Sequence, residues 1–186
     1  MAKSIPNSSI KLWILIVLSV GIFWSNRLPA QNRESLLKAG YIEKFTHFVE
    51  WPELQQKNDS VFKIVVMGEN GLGQAVKKLF KGIKVKNRKV EIQFIHSADE
   101  INHAMMLIIT GELSRNQLQD VLTYTRGRQI LTISESKGYA KKGIIINMFK
   151  ENNYIRYEIN TSTLAQSGLK INSLLLNYAV IVKTDD

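Results

Sequence analysis

The chain has 186 residues, 25 Lys and Arg against 16 Asp and Glu, a net charge of +9, and no cysteine. The missing thiols exclude disulfides, cysteine nucleophiles and thiolate metal sites. The basic excess suits an anionic surface or an acidic partner, but no recognition motif accompanies it, which argues against nucleic acid.

Lys3 and Lys11 precede an uncharged run, Leu12 to Trp24, followed by Leu28-Pro29-Ala30. A basic head, a short apolar centre and a small residue at a cut site describe a secretory leader. Thirteen residues at 1.5 Å each span about 20 Å, short of a hydrocarbon core of about 30 Å. The expectation is cleavage after Ala30 and a periplasmic destination, with an uncleaved membrane anchor as the alternative. Residues 31–186 then form one domain with 22 of the 25 cations, all 16 acids and a charge of +6. A chain of that size hides enough surface to fold without staples.

Apolar residues at helical spacing predict a helix from Arg33 to Trp51, with Pro52 stopping it. Residues 53–60 form a polar connector. Val61–Met67 is β-branched and apolar, a strand buried on both faces. Glycines 68, 71 and 73 make a turn into a helix over Gln74–Lys81, and Val90–Ile95 is a second strand. Ser97 caps a short helix reaching His103, and Met105–Ile109 is a third strand. Ser114 opens a helix to about Thr125, and Ile130–Ile133 is a fourth strand.

Ile144–Phe149 and Tyr154–Ile159 flank Glu151-Asn152-Asn153 and read as a hairpin. Thr161–Ser167 is a helical turn ended by Gly168, and the apolar stripe of Leu169–Val182 predicts a final helix. Strands alternating with helices indicate an α/β domain of three layers, Rossmann-like, its mostly parallel sheet completed by the hairpin and flanking helices.

Little in this order carries catalytic chemistry. Gly68 to Gly73 has the spacing G-x-x-G-x-G, which lacks both the dinucleotide fingerprint and the P-loop Lys, so no cofactor is expected. His47, His96 and His103 have no metal-ligand spacing. Ser134-Glu135-Ser136 follows a strand without a nucleophile elbow. Arg156, Glu158 and Asn160 alternate on one face of a strand, and with Glu135 they could orient a small polar solute. The competing reading is a cross-strand ion pair, with Asn160 capping the next turn. Lys77, Lys78, Lys81, Lys84, Lys86, Arg88 and Lys89 form a basic run with no acid in it. Tyr41, Phe45, Phe48 and Trp51 on the first helix supply either core or a surface for a partner or a homodimer.

Several segments together resemble the YfiR family (also called HmsC-like) of exported regulators. They are Lys38-Ala39-Gly40-Tyr41-Ile42 running into Phe48-Val49-Glu50-Trp51-Pro52, then Ile130 to Glu135 with Gly138, and Gly143 to Phe149. Arg156 to Asn160 and the tail from Ala165 through Ala179 continue the match. The resemblance implies a periplasmic, non-catalytic α/β protein. Such a protein would restrain an inner-membrane diguanylate cyclase by binding its periplasmic domain, lowering cyclic-di-GMP signalling and biofilm formation. A sensor kinase is another partner of the same type, and a solute-binding sensor is the alternative role. Well-described members of the family carry disulfides; this cysteine-free chain departs from them.

Overall fold

The computed structural model describes residues 30–56 and 61–185. The expected leader lies outside the described residues, apart from Ala30. The chain divides into two units, Met1–Arg33 and Glu34–Asp186, and every described strand belongs to the second. Among the described residues no helix is long and apolar enough to cross a membrane.

Helix α1 spans Ala30–Phe48. It ends three residues before the expected position, because Val49–Glu50 is strand β1 and pairs antiparallel with β9, Lys170–Ile171. Pro52 does not stop a helix; it starts the short α2, Pro52–Gln56. The first helical position tolerates proline, since the missing N–H has no partner there in any case. Strand β2, Val61–Met67, lies where its β-branched run predicts. Asn70 caps α3, Gly71–Leu79, by accepting from Leu72 N and Gly73 N. The second half of the basic stretch then folds into a hairpin of β3, Lys84–Val85, and β4, Arg88–Ile95. Lys86 and Asn87, both at positive φ, form its two-residue turn.

Ser97 and Glu100 form a capping box around the single turn Ala98–Glu100. Strand β5 is Met106–Ile109, and α4, Arg115–Thr125, starts from a capping box of Ser114 and Gln117. Strand β6 is Leu131–Ser134. The expected hairpin is β7, Ile146–Glu151, and β8, Tyr154–Asn160, joined through Asn152 and Asn153 at positive φ. Helix α5, Thr161–Ser167, ends on Gly168 in the left-handed region, as the sequence indicates.

The last expected helix is absent in that form. Leu169–Val182 instead contains β9, the short α6 (Ser173–Asn177, capped by Asn172) and β10 (Val180–Val182). The asparagine interrupts the stripe by bonding the N–H of Leu174, and Val-Ile-Val prefers an extended chain.

The main sheet has eight strands in the order β10-β8-β7-β6-β5-β2-β4-β3. All neighbouring pairs are parallel except β3 with β4 and β7 with β8. Its centre, β4-β2-β5-β6-β7, is doubly wound: the chain moves one way from β2 to β4, then crosses back to β5. One face buries Ile64, Val66, Ile108 and Ile133 under Ala39, Ile42 and Phe45 of α1 and Leu72 and Val76 of α3. The other buries Val65, Met67, Leu107 and Ile109 under Leu118 and Val121 of α4, with Tyr139 and Ile144. The domain is thus three layers with a mostly parallel sheet in the middle.

Candidate functional site

Doubly wound sheets hold ligands beyond the carboxyl ends of their strands, at the switch point. Here that region is occupied by the protein's own side chains. Gly68 leaves β2 at φ +100, and a Cβ on it would stand 2.6 Å from the Thr110 carbonyl oxygen, so only glycine lets the two loops close. Glu135, just past β6, accepts from Lys38 Nζ at 2.7 Å and from Asn70 Nδ2 at 2.8 Å. Lys38 also meets Glu34 at 2.8 Å, and Glu34 meets Lys150 at 3.4 Å. Burial works to lower the Lys38 pKa, but the bonds to Glu135 and Glu34 outweigh it and hold the ammonium above its ordinary value. The bond from Lys38 holds the Glu34 carboxyl below its own. The cluster joins α1 to the strand ends and to the α3 cap.

The four residues expected to line a polar pocket are spread over separate contacts. Glu135 belongs to the Lys38 cluster. Arg156 Nη1 donates to Glu151 at 2.6 Å on the exposed hairpin. Glu158 accepts from Asn147 Nδ2 at 3.2 Å, directly across the β7–β8 pair. Asn160 is fully buried, accepts from Thr163 N and donates to Ala140 O and Thr184 Oγ1, so it caps α5 and ties down two loops. The Asn147 side-chain oxygen, also buried, has no hydrogen-bond partner among the described residues. Among the described residues no group of three His, Asp or Glu is arranged to hold a metal.

The aromatic residues of α1 divide by helix face. Phe45 and Trp51 are buried; Trp51 donates to Met105 O at 2.9 Å and stands edge-on to Phe62, with ring centroids 5.0 Å apart. Tyr41 and Phe48 are only half-buried and line a groove of about 500 Å³ with Ile155, Tyr157, Leu174, Leu175 and Tyr178. Lys44 and Arg156 stand at its edge. In its floor Tyr157 packs against Phe45 at 5.1 Å and Tyr41 at 6.4 Å and donates to Leu175 O at 2.9 Å. Burial first, then nearby Tyr41 and Tyr178, pushes the Tyr157 phenol up.

The groove opens to solvent through its α6 wall. Leu174 is 55% exposed and Tyr178 78%, and the edge strand β10 continues the apolar surface with Ile181 at 50%. An open edge carrying exposed Val and Ile offers unpaired backbone groups beside apolar side chains. Sequence reasoning left Tyr41 and Phe48 between core and surface and missed Leu174, Tyr178 and Ile181, which it assigned to a helix. The β-branched run at 180–182 was the available signal.

The basic run forms no single feature. Lys77 lies over the Phe94 ring at 5.7 Å, and Arg88 donates to the backbone oxygens of Lys86 and Leu54 in the hairpin.

A search of curated proteins finds no match to the chain. A family model described as YfiR/HmsC-like matches residues 35–180, and the chain belongs to that family.

Proposed function

We propose that this YfiR/HmsC-like chain is an exported, non-catalytic regulator that binds and restrains a membrane-bound signalling protein of the diguanylate cyclase or sensor kinase type. The observation that carries the reading is the groove between α1, β8 and α6, with Leu174 and Tyr178 left in solvent. Proteins gain from covering such a surface: burying one large apolar side chain contributes about 1.5–3 kcal/mol. Aromatic residues in a pre-formed groove are also the residues that dominate binding energy at protein interfaces. The polar clusters, by contrast, spend their hydrogen bonds inside the fold.

The occupant is an apolar segment of the partner's extracytoplasmic domain, seated in the groove and able to extend along β10. Restraint follows from differential binding: the chain lowers signalling only by holding the inactive conformation more tightly than the active one. Deleting the chain in its native cell should raise the second-messenger or kinase output. Wild type should restore it, and Leu174→Asp with Tyr178→Ala should not, although the variant protein is exported in equal amount. Full restoration by the double variant would overturn the groove as the contact surface.

A further inference from the structure

We propose that a second cleft, between α4 and α5, binds a small hydroxylated anion of the sugar-acid or sugar-phosphate class. The cleft lies on the sheet face opposite α1 and measures about 610 Å³.

Its floor is polar and buried. Thr125, Thr132 and Ser167 are all buried at the cleft. Thr132 Oγ1 accepts from Ile145 N at 2.9 Å, which leaves its own proton to give. Thr125 Oγ1 donates to Val121 O at 2.9 Å, which leaves its lone pairs to accept. The floor therefore offers a donor and an acceptor in fixed places, a match for sugar hydroxyls, which need both. Ser162 and Gln166 on α5 add two more polar side chains.

The rim is cationic. Arg126 closes α4, and Lys142, also a lining residue, has its ammonium 5.3 Å over the Tyr139 ring. Among the described residues neither is in an ion pair. Among the described residues no Asp or Glu lines the cleft. Asp185 follows the lining residue Thr184, with its backbone N–H donating to Lys141 O, and is not itself a lining residue. The α4 C-terminus brings about half a negative charge, which two full cations outweigh. A neutral sugar would leave the cations unmatched, and a bare anion would leave the floor unfilled.

The test is thermal unfolding of the purified chain with D-galacturonate or glucose 6-phosphate, beside glucose, acetate and inorganic phosphate at equal concentration. The expected result is a rise in Tm with at least one of the two hydroxylated anions, larger than with any of the three controls. Which of the two responds separates the sugar acid from the sugar phosphate. Arg126→Gln with Lys142→Gln should weaken that binding about tenfold or more. Both positions are exposed, so the unliganded Tm should fall by no more than the loss of the Lys142–Tyr139 contact. No response to either anion, an equal response to acetate or phosphate, or binding unchanged in the double variant would overturn the proposal.

Discussion

Around Glu135 the chain buries charge, and around Tyr178 it exposes apolar surface. At the strand ends Lys38 sits between Glu34 and Glu135, Asn70 bonds Glu135, and α1 covers the group. Beside α6, Leu174 and Tyr178 face water although a groove with an aromatic floor lies next to them. The first region is completed within the chain and serves the scaffold. The second is left open among the described residues, as the proposed contact surface. A buried polar cluster at a switch point is thus weaker evidence of a ligand site than an apolar groove that no described residue fills.

Substitutions should separate the two regions by what they cost. Trp51→Ala removes a core indole and its bond to Met105 O, and should lower stability by about 3–5 kcal/mol in urea titration. Lys38→Ala leaves Glu135 buried without its cation and should cost about 3 kcal/mol. Neither residue is an exposed part of the groove wall, so association measured well below the Tm should persist in both variants. Lost association in a folded Lys38→Ala protein would erase the distinction.

The alkaline limb sharpens the same contrast. Lys38 and Tyr157 both have raised pKa values in the fold. Their contribution is complete below the unfolded values, near pH 10, and is lost as pH rises through the folded ones. Stability should fall above about pH 10, and less steeply in Lys38→Met. The lowered Glu34 acts at the other end, losing its contribution as pH falls below the ordinary carboxylate range. The smallest effect is expected at the groove wall. Leu174→Ser and Tyr178→Ser should each change stability by no more than about 0.5 kcal/mol, because their side chains are already largely in water.

Most of the layer architecture was legible because it rests on local signals. Val61–Met67 and the apolar strand at 106–109 announce a buried sheet through composition. Ser114 with Gln117, and Gly168, mark helix ends by their own hydrogen bonding and backbone freedom. The misread tail failed on periodicity: Leu169, Leu175 and Leu176 fit a helical stripe, while the strand nature of 180–182 rested on three residues. Pro52 misled because the same residue ends one helix or begins the next, and only the pairing of Val49 with Ile171 selects between them.

The groove was half legible. Tyr41 and Phe48 could be proposed from α1, but their neighbours come from β8 and α6, more than a hundred residues later. The Lys38–Glu135 pair, 97 residues apart, has no local signature either. Both features come from long-range contacts, which spacing along a single chain does not encode.

Photo-crosslinking in the native membrane tests the docking surface most directly, with a crosslinker at position 178 compared with one at the exposed Lys81. The account predicts an adduct between position 178 and the extracytoplasmic domain of a membrane signalling protein, lost with Leu174→Asp, and none from position 81. Adducts from position 81 without any from 178 would contradict it.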